Sequence, residues 1–185
     1  ILLGRANPNS ANGVNLTVYY LSKCLSKYGV DAYVIGITKK AHYDGEIISV
    51  DPHIEVFTRK RIPFLLNKNI IKRIIQITPD VVHLHSAYVP ELDIIAFYLR
   101  NLNIPYIVTP HGALSSHAQK RSKFKKKIYN YLFLWKTLNG ASAIHAVSKN
   151  EMLELKKFGI RNKDIFFIPN GVDFSVIPQS YNEGF

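Results

Sequence analysis

What most restricts the fold of this chain is a regular alternation of two periodicities. Short runs rich in β-branched residues, at 1–4, 32–37, 54–57, 81–85, 106–109, 143–147 and 165–168, read as strands. Longer segments between them carry apolar residues at helical spacing. In the first, Val14, Val18, Leu21, Leu25 and Tyr28 fall on one stripe, and Gly29 supplies the stop. Helices are also predicted over 67–77, 90–102, 120–138 and 149–158. Pro90 starts one of them, where its missing N–H costs nothing. Strands alternating with helices demand right-handed crossovers, so the expected fold is α/β: a doubly wound, mostly parallel sheet with helices on both faces. The residues after Asp173, with Pro178, Gln179, Ser180, Asn182 and Gly184, read as a linker or tail. The chain thus divides into a domain over 1–173 and a tail over 174–185.

Composition sets the outer bounds. A chain of 185 residues, 47% of them hydrophobic, can bury one core without a disulfide or metal staple, which excludes disorder. Its apolar stretches are broken by charge or proline well short of the ~20 residues of a spanning helix. Residues 1–4 lead straight into a polar loop, so no cleavable signal segment is expected. The single Cys24 excludes an internal disulfide framework and fits a reducing compartment. Beside Leu21 and Leu25 it is expected to be a small core residue, not a nucleophile.

The charge is unbalanced, with 24 Lys+Arg against 13 Asp+Glu, a net +11. It is also clustered: no carboxylate occurs between Asp93 and Glu151, nor between Glu55 and Asp80. Such segments are either solvated faces or surfaces that meet anions: nucleic acid, an anionic membrane or a phosphorylated substrate. On the helix 120–138, Phe124, Ile128, Tyr131, Leu132 and Trp135 form one stripe, with Lys123, Lys125 and Lys126 away from it. The stripe is expected to pack on the sheet, although the cationic head also fits a membrane interface. Arg59, Lys60 and Arg61, next to Ile62, Pro63, Phe64, Leu65 and Leu66, form a second candidate anchor.

Open parallel sheets bind ligands beyond the carboxyl ends of their strands. Five strands here deliver a polar or glycine element to that edge: Asn12-Gly13, His85-Ser86, His111-Gly112, Ser148 and Asn170-Gly171. Asn12-Gly13 opens a helix, where unpaired N–H groups and the positive dipole end can seat a phosphate. It is neither a G-x-G-x-x-G fingerprint nor a P-loop. His83 and His85 share one strand face, which suits either a metal pair or packed histidines; no Cys or carboxylate with ligand spacing joins them. His111, between Pro110 and Gly112, could donate to a substrate oxygen, shuttle a proton, or simply bind backbone in a turn. There is no G-x-S-x-G elbow.

In order, Asn12-Gly13-Val14, Pro79-Asp80-Val81-Val82-His83-Leu84-His85-Ser86, Thr109-Pro110-His111-Gly112, Ala146-Val147-Ser148-Lys149-Asn150-Glu151 and Ile168-Pro169-Asn170-Gly171-Val172-Asp173 make a signature. It resembles the N-terminal, Rossmann-like domain of a group 1 (family 4) glycosyltransferase of the GT-B fold, across residues 1–173. That resemblance implies a retaining, metal-independent hexosyltransferase that needs no cofactor and uses a nucleotide sugar as co-substrate. It implies that Gly13 approaches the donor diphosphate with Asn12 beside it, and that His111 contacts the transferring sugar as the catalytic residue. His85, Ser86, Gly112 and Ser148 would line the cleft, and Asn170, Gly171 and Asp173 would mark the hinge. The partners implied are the donor, bound mainly by a C-terminal domain, and a saccharide or lipid-linked acceptor in cell-envelope polysaccharide assembly. An anionic membrane surface is a further expected partner; nucleic acid is not. The enzyme would be cytoplasmic, peripheral on the inner face of the cell membrane. Asn12-Gly13 departs from the family's frequent Gly-Gly, and the Glu-x7-Glu pair and diphosphate-binding Arg/Lys are not in these residues. The isolated chain is therefore expected to be inactive. The other readings are a stand-alone α/β module for anionic ligands and a nucleic-acid-binding domain.

Overall fold

The structure, a computed structural model, describes residues 2–4, 13–38, 45–50, 53–62, 64–120, 122–162 and 164–171. Among these, eight strands make one sheet: β1 (Leu2–Gly4), β2 (Tyr33–Thr38), β3 (Glu46–Ser49), β4 (His53–Thr58), β5 (Val82–His85), β6 (Tyr106–Thr109), β7 (Ala143–Ala146) and β8 (Ile165–Phe167). Their order is β3-β4-β2-β1-β5-β6-β7-β8. Every pairing is parallel except that of the edge strand β3 with β4. The winding reverses between β1 and β5, and that reversal opens a crevice at the carboxyl edge. The helices are α1 (Gly13–Lys27), α2 (Lys68–Ile77), α3 (Pro90–Asn101), α4 (Ser116–Lys120), α5 (Lys123–Tyr129), α6 (Trp135–Asn139) and α7 (Lys149–Lys157). A π turn, Asn130–Leu134, joins α5 to α6.

Alternation along the strands sorts the core into two faces. Val34, Ile54 and Val56 point to one and pack against Val18 of α1. Ile35, Val82, Leu84, Tyr106, Val108, Ile144 and Ala146 point to the other and meet Ile70, Ile74, Ile95, Leu99, Leu138 and Leu155 of the remaining helices. On β5, β6 and β7 the residues that alternate with this second set are His83, His85, Ile107, Thr109, Ala143 and His145. The core pattern therefore collects the histidines on one side of the sheet.

Three expectations need correction. Strand β3 falls where no strand is predicted; its residues are mostly exposed, and an edge strand paired on one side shows no hydrophobic alternation. Cys24 is exposed rather than buried. The predicted helix 120–138 is interrupted: Ser122 adopts a left-handed φ of 58°, and the π turn then changes the helical phase. Tyr129 and Leu134, five apart, both reach inward, whereas the predicted core stripe faces out, with Phe124 76% and Tyr131 74% exposed. The segment is held by Leu134 and Leu138 in the core and by polar contacts to α3 and β6. Buried Asp93 accepts from Tyr129 Oη and from Thr137 Oγ1 (2.6 Å), and Tyr106 Oη donates to Thr137 O (2.8 Å). Burial pushes the Asp93 carboxyl above its ordinary value, although these hydrogen bonds act the other way.

Candidate functional site

The crevice is built from the carboxyl ends of β5, β6 and β7. His85 closes β5 and is 1% exposed. His111 follows β6 in a left-handed turn, with φ of 53° at His111 and 73° at Gly112. Ser86 (φ 106°) and Tyr88 (φ 59°) are also left-handed, so backbone strain gathers at this edge. Glu151, on α7 and 3% exposed, holds the turn in place: its carboxylate accepts from Gly112 N–H (2.7 Å) and from Val147 N–H (2.8 Å).

Two side-chain chains run through the site. In the first, His85 Nδ1 and His111 Nε2 are 3.0 Å apart, with the rings nearly parallel. One of the two nitrogens donates, so the nitrogen of His111 left for a ligand is Nδ1. In the second, His145 Nε2 donates to Ile168 O (2.7 Å), which in the neutral ring makes Nδ1 an acceptor. Thr109 Oγ1 then donates to His145 Nδ1 (2.9 Å) and accepts from His83 Nε2 (2.6 Å). This chain crosses three strands and ends two residues before Asn170-Gly171.

Burial, reinforced by neighbouring histidines, lowers the His83 pKa to about 3 and that of His111 to about 4, and takes His85 well below its ordinary value. All three are neutral near pH 7. His111 thus offers an uncharged ring nitrogen rather than an imidazolium. Among the described residues, no group of three or more His, Cys, Asp or Glu could hold a metal ion. His85 Nε2 and Asn15 Oδ1, in the first turn of α1, are buried without a hydrogen-bond partner among the described residues. Unsatisfied polar atoms are rare in folded interiors, and His85 Nε2 is one of them within this crevice.

Over residues 11–176 the sequence matches the family described as Glycosyltransferase Family 4. The chain belongs to that family. Among solved structures, it is similar to the crystal structure of Anabaena Alr3699/HepE in complex with UDP, with 19% identity and a TM-score of 0.62, covering 93% of this chain and 44% of that one. A HepE complex with UDP-glucose matches with 17% identity and a TM-score of 0.58 over the same shares. Sucrose-phosphate synthase from Thermosynechococcus elongatus matches with 16% identity and a TM-score of 0.68, covering 93% of this chain and 48% of that one. These likenesses show a Rossmann-like domain of the GT-B glycosyltransferase fold, and this chain spans less than half the length of those structures. A comparison with curated proteins gives no match.

Within this family 4 domain, the predicted site residues divide. His85, Ser86, His111 and Gly112 come together at the carboxyl edge. Gly13 is exposed as the first residue of α1, after β1 at the switch point. Ser148 sits at the same edge, but its Oγ accepts from Glu151 N (3.0 Å) as the cap of α7, so it is a structural residue before it is a cleft-lining one. Asn170 and Gly171 are exposed beyond β8. Asn12, Asp173 and the tail 174–185 lie outside the described residues. Glu151, Thr109, His145 and Asn15 are not among the predicted site residues; Thr109 and Glu151 stand in the signature motifs, and Glu151 also in the Ser148-x-x-Glu151 capping pattern.

The expected anionic surface also divides. Arg59 is not available to a partner, because it pairs with buried Glu91. Lys126 turns inward, donating to Ala118 O (2.6 Å) and lying 4.6 Å from the Tyr88 ring centroid. Lys60, Arg61, Lys123 and Lys125 are exposed. The two basic segments meet, since the Phe64 ring stacks on Phe133 at 4.6 Å. Among the described residues no helix is long and apolar enough to cross a membrane.

Proposed function

We propose that this chain is the N-terminal, acceptor-side half of a retaining, metal-independent hexosyltransferase, which moves a sugar from a nucleotide-sugar donor to a saccharide or lipid-linked acceptor in cell-envelope polysaccharide assembly. Residues 1–173 form the acceptor-side domain and 174–185 lead to a donor-binding domain. The observation that carries the reading is His111 in a family 4 domain, strained into a left-handed turn at the carboxyl end of β6, with its ring held by His85 and Nδ1 left for a ligand. In its neutral form it can hydrogen-bond the sugar undergoing transfer without changing charge. Gly13, at the start of α1, offers backbone N–H groups to the donor diphosphate. HepE, whose fold this chain shares, binds UDP and UDP-glucose, which supports a nucleotide-sugar donor.

The enzyme works on the inner face of the cell membrane, docking through Lys60, Arg61, Lys123 and Lys125 with Phe124, Ile128 and Leu132. What supports this is the exposure of those aromatic and aliphatic residues beside exposed lysines. The test is transfer by the full-length protein from a labelled UDP-sugar to a lipid-linked acceptor. Transfer should persist in EDTA and retain the anomeric configuration by NMR, and the 185-residue chain should be inactive. Hydrolysis or transfer with inversion would overturn the assignment.

A further inference from the structure

A groove of about 480 Å³ lies between α4, the α5–α6 segment and the end of α7. Lys123, Lys127, Tyr131 and Trp135, spaced four apart, run along its wall, with Lys120 and Phe158 on the facing elements. The spacing separates two chemistries: three ammonium groups lie towards the amino-terminal end, and three aromatic rings towards the other. Among the described residues no carboxylate lines the groove. Glu154, near Ser116, is taken up by the Ser116 N–H (3.1 Å). The groove adjoins the reaction edge, because Gln119 on its wall donates to Ala113 O (3.0 Å), in the turn that carries His111.

We propose that this groove is a binding site for a single lipid with a phosphate or diphosphate headgroup, the head held by Lys120, Lys123 and Lys127 and the hydrocarbon chain lying along Tyr131, Trp135 and Phe158. Ammonium groups give charge-assisted hydrogen bonds to phosphate oxygens, and the apolar wall gains by removing hydrocarbon from water. A soluble sugar phosphate would leave the aromatic half wet, and a neutral lipid would leave the lysines unused. The inference deepens the acceptor reading, since a phosphate-headed lipid is the carrier that a lipid-linked acceptor would have.

Trp135 is the single tryptophan of the 185 residues, so its fluorescence reports on this groove alone. Geranylgeranyl diphosphate should produce a saturable blue shift in this chain, and geranylgeraniol and inorganic pyrophosphate should not. Lys123→Glu with Lys127→Glu should weaken binding about tenfold or more, at ~1 kcal/mol for each basic residue lost. Lys27→Glu, exposed at the end of α1 and outside the groove, should leave binding within about twofold, and circular dichroism of all variants should match the parent. The proposal is overturned if the diphosphate lipid gives no saturable shift, if pyrophosphate alone gives the same shift, or if Lys27→Glu weakens binding as much as the groove pair. Because the readout is independent of sugar transfer, its failure would leave the transferase reading standing, and failure of transfer would not erase a measured lipid site.

Discussion

The carboxyl edge of the sheet and the outer surface of α5–α6 are both rich in aromatic and basic side chains, yet they are organised in opposite ways. At the edge nearly every polar group has an internal partner. His83, Thr109 and His145 bind each other, His85 binds His111, and Glu151 ties Gly112 to Val147. On the outer surface Phe124, Tyr131, Lys123 and Lys125 stand exposed. A preorganised edge suits chemistry, where a donor must already point at the developing charge. An open surface suits docking, where a partner supplies the missing contacts. Substitutions should therefore cost much at the first and little at the second.

The largest effect is expected at His111. In the full-length enzyme His111→Ala should lower kcat by about 10²–10³, the loss typical of one donor aimed at a transition state, with KM changed much less. His85 acts through His111, so His85→Ala should lower kcat by about tenfold, on the scale of one hydrogen bond. His85→Gln, which keeps a polar group facing His111 Nε2, should recover part of that loss. Equal activity of His85→Ala and wild type would show that the 3.0 Å contact does not position the ring.

Glu151→Ala comes next. It leaves the Gly112 and Val147 N–H groups unpaired in a partly buried setting, and each lost hydrogen bond to a charged acceptor costs roughly 1.5–3 kcal/mol. A loss of about 3 kcal/mol is expected by urea denaturation, with Glu151→Gln intermediate. A change under about 0.5 kcal/mol would mean that the turn holds itself.

The histidine edge also predicts a pH dependence. His83 and His111 titrate at about 3 and about 4 when folded, against an ordinary 6.5. Between those values the unfolded chain binds more protons than the folded one. This stabilisation is therefore complete above about pH 6.5 and is lost as pH falls through that window, by at most about 1.4 kcal/mol per pH unit for each histidine. Urea midpoints at pH 7.5 and 5.0 should differ in wild type, and the difference should shrink in His83→Gln.

The layout of the sheet was readable in the sequence because burial on both faces leaves compact apolar runs, and the strand ends then place His85 and His111 at one edge. The internal wiring of that edge was not. Thr109 meets His83 and His145 only through the register of β5, β6 and β7, which no local pattern encodes. Glu151 was visible as a capping residue, but its reach to Gly112 crosses 39 positions. The outward stripe was misjudged because a π turn shifts the phase between Tyr129 and Leu134, and a strict helical projection hides that shift.

The smallest effects should separate neighbours within a single lysine run. Lys125 and Lys126 are adjacent and look equivalent in sequence, but only Lys126 reaches Ala118 O and lies over the Tyr88 ring. Such a cation–π contact is worth ~0.5–1 kcal/mol when partly exposed. Lys126→Gln should therefore cost about 1 kcal/mol by urea denaturation. Lys125→Gln and Phe124→Ser should stay within about 0.5 kcal/mol, as exposed substitutions generally do. The same Lys125→Gln and Phe124→Ser variants should reduce sedimentation of the full-length enzyme with anionic vesicles, whereas Lys126→Gln should not. If Lys126→Gln reduced vesicle binding as much as Lys125→Gln at unchanged stability, the division between an inward and an outward lysine would collapse.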